Sequence, residues 1–489
     1  MSRRIMLQGT SSHVGKSILT TALCRIFYQE GLKVTPFKAQ NMALNSYVTA
    51  DGLEMGRAQV AQAEAAMLEP NVDMNPVLLK PTGNSTSQVI INGRPIGNMS
   101  AKEYHQGYSL KAFDAVKSAL SRLDAAFDMI VIEGAGSPAE VNLKANDIVN
   151  MRVAKYFNAP VLLVADIDRG GALASLVGTL ELLDEDEREL VKGLVINKFR
   201  GDINLLTPAI DFLEEKTHKP VLGVIPFIEK LGIDDEDSVS LDDKVNGNVS
   251  GEVKIAIVRT PKISNFTDFD SLAGEADVSL FYATKAEELD GADVVILPGS
   301  KNTSEDLKYL WSNGLAAKIK LLAELGTAVI GICGGYQMLG ERIYDPLHTE
   351  SANDSVEGLS LLPLSTTFAA EKLTRQVILE SVDFTFLGSK ICAENVSGYE
   401  IHAGVTDGKI SVGNMVALDN VVGTYVHGLF DNDELRRQMI NAVRIKKQLE
   451  PIKNTRNVSA EKQRSYERLA KVVRENMNME LLRKIIRNV

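Results

Sequence analysis

The chain reads as an α/β protein built twice over, with two mostly parallel sheets, each covered by helices. Three features of the 489-residue sequence point there. Short, wholly apolar runs recur along it, and a strand that is apolar on successive residues is buried on both faces. Helix-length amphipathic stretches separate the runs, as parallel strands require. The runs also fall into two series, divided by a stretch that is first acidic and then rich in Gly, Asn and Ser.

In the first series, Arg4–Gln8, Lys33–Phe37, Met129–Glu133, Pro160–Ala165, Gly193–Asn197 and Pro220–Ile225 are the expected strands. Ile18, Leu19, Ala22, Leu23 and Ile26 recur at helical spacing directly after the first. Gly232–Asp243 carries six acidic residues and no basic one, and with Asn246–Gly251 it reads as a solvated linker. The second series has Val253–Val258, Ala292–Leu297, Ala328–Ile332 and Val421–Val426 as its clearest strands. From Arg436 to the end there are 15 Lys and Arg against 5 Asp and Glu. There Tyr466, Leu469, Val472, Val473, Leu481, Leu482, Ile485 and Ile486 fall roughly at helical spacing, which predicts a pair of helices packed on the body. The expected domains are residues 1–230, a linker over 231–251, a second domain over 252–435 and a basic helical tail over 436–489.

Composition narrows the classes. Hydrophobic residues make up 45% and charged residues 24%, the profile of a chain that buries real cores. The net charge is −11 despite the basic tail, so the body is strongly acidic and lacks the footprint of a nucleic-acid binder. Cys24, Cys333 and Cys392 are too few and too scattered for a disulfide framework or a Cys-rich zinc site. The start, Met1–Thr10, turns into a glycine loop where a signal peptide would need an apolar stretch. No apolar run approaches the ~18–20 residues of a membrane span. The expectation is a cytoplasmic protein with no membrane partner; oligomeric state is left open, a homo-oligomer included.

Gly9-Thr-Ser-Ser-His-Val-Gly15-Lys16-Ser17 lies between the first strand and the first helix, the context a P-loop needs. Small residues let successive N–H groups wrap phosphate oxygens, and the helix N-terminus adds partial positive charge. Gly9, Thr10, Gly15, Lys16 and Ser17 are the candidate phosphate ligands, with Lys16 for the β/γ-phosphates and Ser17 for Mg²⁺. Thr10 stands where the first glycine is usual, one residue of extra spacing. A carboxylate at a strand end completes such a site. Glu133 before a glycine turn is the favoured one and Asp166 the alternative; Asp51 and Glu54 are further candidates that spacing does not decide. Asn197 lies where such sheets often read the base. No Asp follows two residues later, which favours ATP over a guanine nucleotide.

Gly331-Ile-Cys333-Gly-Gly335-Tyr-Gln337 follows an apolar strand and precedes a helical stretch. Glycines on both sides of a nucleophile are the mark of a sharp strand-to-helix turn that exposes the side chain. Backbone N–H groups of such a turn, Gly334 among them, can hold an oxyanion. A thiolate needs a proton shuttle; His427, in Gly423–Leu429, ends an apolar strand and is preferred, and His402, in Gly398–Gly404, is the competitor.

Gly-x-Cys-x-Gly-x-Gln with a distant His resembles the class I glutamine amidotransferases. The resemblance implies that Cys333 forms a γ-glutamyl thioester and releases ammonia, and it favours His427 as the acid/base. The family's usual third member, a Glu two residues after the His, is replaced here by Leu429, a departure shared by the cobyrinate-amidating subgroup. Leu297–Thr303 resembles that subgroup's oxyanion-side loop, which adds Gly299 to Gly334 and Gln337 as oxyanion- and glutamine-binding candidates. Gly9–Ser17, Phe37–Ser46, Glu133–Glu140 and Gly398–His402 together resemble the cobyrinate-amidating family, over about residues 3–435. Its N-terminal domain is of the dethiobiotin-synthetase-like P-loop kind. The resemblance implies ATP- and Mg²⁺-dependent amidation of corrinoid carboxylates with L-glutamine as nitrogen donor, a cobalamin-biosynthesis reaction. The side chains concerned are b, d, e and g of adenosylcobyrinic acid a,c-diamide. Lys38, Asn41 and Asn45 would face the acceptor or the transferring phosphate, and ammonia would need a protected path. The alternatives are a sibling such as cobyrinic acid a,c-diamide synthase, which differs over Gln40–Asn45, and a nucleotide-switched binding protein without catalysis.

Overall fold

The computed structural model describes residues 2–83, 85–229, 231–233, 251–410 and 413–487, so most of the expected linker lies outside the described residues. They form two compact units. One holds the chain up to Ala43, from Glu54 to 233, and from Ala460 onward; the other holds Leu44–Leu53 and 251 to Ser459. Among the described residues no helix is long and apolar enough to cross a membrane.

The first unit is built on a six-stranded parallel sheet of β1 (Arg3–Gly9), β2 (Val34–Lys38), β3 (Met129–Glu133), β4 (Val161–Asp166), β5 (Val191–Phe199) and β6 (Val221–Pro226). Their order is β6-β5-β4-β1-β3-β2. Successive residues feed opposite layers, as the two-residue period of a strand requires. Met6, Ile130, Ile132 and Leu163 pack on one face, and Ile5, Leu7, Val131 and Leu162 on the other. Helix α1 (Lys16–Gln29) lies on that second face through Leu19, Leu23 and Ile26.

The basic stretch after Arg436 divides between the units. Its helices Val458–Asn476 and Met479–Arg487 insert Leu469, Val473, Leu482 and Ile486 into the layer that holds Ile5 and Leu7. Arg25 pairs with Glu467 at 2.7 Å, and the Tyr466 hydroxyl donates to Glu64 at 2.8 Å. The helix Asp433–Lys446 belongs to the second unit, where buried Arg436 and Arg437 pair with Glu275 at 2.6 Å and Asp277 at 3.0 Å. The Arg436 and Arg437 charges are therefore matched inside the second unit.

The second unit contains β7 (Val253–Val258), β8 (Val278–Ala283), β9 (Val294–Leu297), β10 (Ala328–Ile332), β11 (Leu364–Phe386), β12 (Ser389–Gly408), β13 (Met415–Leu418) and β14 (Val421–Thr424). Its main sheet runs β8-β7-β9-β10-β14-β13, parallel except for the last pair. Alternate residues again separate: Ile255, Ile257, Ile296 and Ile330 face one core, and Ala256, Val258, Val295 and Val329 the other. β11 and β12 form a long antiparallel hairpin that sets Leu373 opposite His402 and Gln376 opposite Tyr399.

Candidate functional site

The phosphate loop spans the end of β1 and the start of α1. Gly15 sits at φ +94, and a Cβ there would run into the Asn197 amide, so the position demands glycine. Asn197 donates its side-chain N–H to the Val14 carbonyl at 2.8 Å and so holds the loop from β5. The Thr10 N–H donates to the Val164 carbonyl at 2.9 Å, fixing the start of the loop to β4. Buried Lys16 donates to the carbonyls of Ser11 at 3.0 Å and Gly136 at 3.3 Å.

Glu133, at the end of β3, is where this loop and β2 meet. Its Oε1 accepts from the Ser17 hydroxyl and from Lys38 Nζ, both at 2.8 Å, and its Oε2 from Gln62 at 2.6 Å. A buried carboxylate needs such partners. Ser17 and Glu133 thus stand together as one hydroxyl and one carboxylate. That small oxygen set suits Mg²⁺, which keeps waters and phosphate oxygens for most of its shell. Among the described residues no group of three or more His, Cys, Asp or Glu gathers as a self-sufficient metal cage. The alternative carboxylate Asp166 is paired with Lys198 at 2.8 Å. Asp51 lies in the second unit, where it accepts from the Thr49 hydroxyl. Asn41 donates to Gln59 at 3.1 Å, whereas Asn45 lies in the second unit and accepts from the Phe266 N–H. Gln62 escaped the sequence reading. Its signal is the polar pair Gln59 and Gln62, one helical turn apart and both buried in the helix Arg57–Ala65.

In the second unit Cys333 lies between β10 and α2 (Gly334–Leu339), at φ 53 and ψ −108, a conformation side chains rarely adopt. A Cβ on Gly335 would collide with the Leu297 carbonyl, and one on Gly334 would come to 2.9 Å from the Ser300 nitrogen. The elbow is therefore packed directly on the loop after β9, in which Gly299 pairs with Ser264. Gln337 is buried, accepting from the Thr303 hydroxyl at 3.2 Å and donating to the Tyr425 hydroxyl at 3.3 Å.

His427 follows β14 and is fully buried. Its Nδ1 donates to Asp268 Oδ2 at 2.6 Å, and the Gly428 N–H donates to Asp268 Oδ1 at 3.0 Å. Its Nε2 has no hydrogen-bond partner among the described residues, and the Cys333 thiol donates to the Ile401 carbonyl at 3.5 Å. Burial opposes a charge on the ring, but the Asp268 carboxylate and then the Cys333 sulfur outweigh it and push His427 up to about 10. His402 differs: burial holds it below the usual imidazole range, its Nδ1 donates to Gly404 at 2.8 Å, and its ring stacks on Tyr425 at 3.6 Å. Asp268 is the carboxylate missing at Leu429. It lies some 160 residues before the histidine, so no local spacing announces it.

A phosphate loop with a strand-end carboxylate, in one chain with a thiol elbow and an imidazole–carboxylate pair, defines a nucleotide-dependent glutamine amidotransferase. Residues 5–240 match the model of the CobQ/CobB/MinD/ParA nucleotide binding domain, and residues 254–435 that of the CobB/CobQ-like glutamine amidotransferase domain. The cobyric acid synthase of Moorella thermoacetica is 52% identical, over 98% of this chain and 96% of its own. Those of Carboxydothermus hydrogenoformans and Desulfitobacterium hafniense are 53% and 51% identical, over 99% and 98% of this chain and 100% and 97% of theirs. The chain belongs to the cobyric acid synthase family, amide-forming ligases of cobalamin biosynthesis.

Proposed function

We propose that this chain amidates the b, d, e and g carboxylates of adenosylcobyrinic acid a,c-diamide, using ATP and L-glutamine. The observation that carries the chemistry is the buried His427, oriented by Asp268 through Nδ1 and left with an unpartnered Nε2 in the unit that holds the Cys333 elbow. With its proton already on His427 Nε2, Cys333 Sγ attacks the γ-carbonyl of glutamine. The N–H groups of Gly334 and the Gly299 loop take the oxyanion. His427 returns the proton to the departing amine, ammonia leaves, and water hydrolyses the thioester to glutamate. In the first unit an acceptor carboxylate oxygen attacks the γ-phosphorus of ATP and ADP departs. Ammonia then attacks the acyl phosphate, forming the C–N bond and expelling phosphate, a far better leaving group than an oxide. Lys16 steadies the charge on the transferring group. Mg²⁺ held by Ser17 and Glu133 would supply charge neutralisation on the phosphates. Lys38 and Asn41 remain the candidate acceptor contacts, and the Asn197 side chain holds the loop that carries the phosphates.

Incubation with the a,c-diamide, ATP and glutamine, read by mass spectrometry with fragmentation, should find new amides at b, d, e and g. Turnover of both co-substrates with no new C–N bond would refute the reading. The His427 pair adds a pH prediction. Protonated His427 is the acid for the leaving amine, so glutaminase kcat/KM should hold at moderate pH and fall as pH rises through about 10. Asp268→Asn removes the charge that holds the proton, so this alkaline limb should move down by about one pH unit or more. An unmoved limb would remove Asp268 from the mechanism.

A further inference from the structure

Residues 44–53 are far from the amidotransferase segment in sequence yet fold with the second unit. Their hydrogen bonds are reciprocal and buried. Asn45 Oδ1 accepts from the Phe266 N–H at 3.1 Å, and Asn265 Oδ1 accepts from the Ser46 N–H at 3.0 Å. Asn265, at φ 52, opens the turn Phe266–Phe269 that presents Asp268, and its carbonyl accepts from the Asp268 N–H at 3.0 Å. The next residues reach the other half of the pair. The Tyr399 hydroxyl donates to the Ser46 carbonyl at 2.9 Å, and Tyr47 packs edge-on against the Tyr399 ring at 5.1 Å. Tyr399 in turn stacks on His427, with ring centroids 5.3 Å apart, and exchanges two backbone hydrogen bonds with it, at 3.1 and 2.8 Å. Three consecutive residues therefore grip the loop carrying the acid and the ring lying against the imidazole.

We infer that residues 45–47 are a strap that positions the His427–Asp268 pair, with Asn265 and Tyr399 as the positioning residues through which it acts. The inference rests on the glutaminase reading above. A buried amide that loses its partner leaves an unsatisfied donor, so the strap resists displacement. A short contact such as Nδ1 to Oδ2 tolerates little drift, since a displacement of about 1 Å in a catalytic group costs ~100-fold. The strap follows directly in sequence on the strand Gln40–Met42, which carries Asn41. Glutaminase activity thus depends on a segment outside the matched region 254–435.

The test uses the full chain. Asn265→Gly keeps the left-handed backbone and removes the acceptor, Asn265→Asp restores an acceptor oxygen, and Tyr399→Phe keeps the stacked ring and removes only the hydroxyl. Asn265→Gly should lower glutaminase kcat about tenfold with glutamine KM within about twofold, and Asn265→Asp should recover most of the loss. Tyr399→Phe should lower kcat by about three- to tenfold, and amidation driven by ammonium should stay at the wild-type rate in all three. Glutaminase rates in Asn265→Gly and Tyr399→Phe within about twofold of wild type, an equal loss with ammonium, or no recovery in Asn265→Asp would overturn the strap. If Asn265→Gly does not fold, Tyr399→Phe decides alone. Glutaminase activity surviving in Cys333→Ala would instead overturn the underlying reading, whatever the strap variants do.

Discussion

Cys333→Ala is expected to cut glutamine-driven amidation by about four orders of magnitude or more, yet leave amidation with ammonium salts near the wild-type rate. The size follows from what is lost. Without the sulfur no thioester forms, and the N–H groups of the elbow cannot by themselves cleave an amide at a useful rate. Survival of the ammonium reaction follows from the location of the nucleophile, which lies in the second unit while Lys16, Ser17 and Glu133 belong to the first. The elbow's shape should also survive. Its glycines are packed against the backbone at Leu297 and Ser300, so the turn is imposed by its surroundings and an alanine inherits it. Amide formation followed by mass spectrometry with each nitrogen source checks this. An equal loss with both sources would mean that Cys333 serves the acceptor reaction or the fold.

The strands were legible because buried parallel strands need no interpretation of alternation. Ile5-Met6-Leu7 and Ile255-Ala256-Ile257 are apolar on both faces, and the structure sends successive residues into separate cores. The phosphate loop and the cysteine elbow were legible because each is local: a few consecutive residues hold both the chemistry and the turn that exposes it. The rest depends on distance. The hairpin β11–β12 is largely exposed and mixes polar with apolar residues, so its pattern gives no clean period. Asp268 reaches His427 only through tertiary folding, and Gln62 reaches Glu133 from a helix whose polar residues look like an ordinary solvated face. Asn45 and Asp51 carry the polar chemistry of a ligand site, and only the fold reveals that the second unit takes up their segment. The basic stretch after Arg436 reads as one tail in charge, but its partners Glu275 and Asp277 lie in the second unit and Arg25, which pairs with Glu467 of the stretch, lies in the first.

Lys16→Ala is expected to lower amidation by about 1,000-fold with glutamine and with ammonium alike. In this structure the ammonium group is buried and held by the carbonyls of Ser11 and Gly136, acceptors that mark a pocket shaped for a cation facing electron-rich oxygen. Phosphoryl transfer offers a protein little covalent chemistry to perform, so its contribution is placement and charge. A cation already fixed in place needs no reorganisation during the transfer and is worth far more than one free in solvent. Alanine removes that charge, and the Ser11 and Gly136 carbonyls, on an exposed and a half-buried residue, can turn to water, so the loss is expected in the kinetics and not in stability. Lys16→Arg should not rescue, because the side chain is confined within a loop whose Gly9 has no room even for a Cβ beside Val14. Single-turnover assays with ammonium, which bypass Cys333, isolate the effect. Retention of more than about a tenth of the wild-type rate would show that acyl-phosphate formation does not run through this loop. Together with Cys333→Ala, the experiment divides the reaction at its one shared intermediate: ammonium restores what the thiol variant lost and cannot restore what the lysine variant lost.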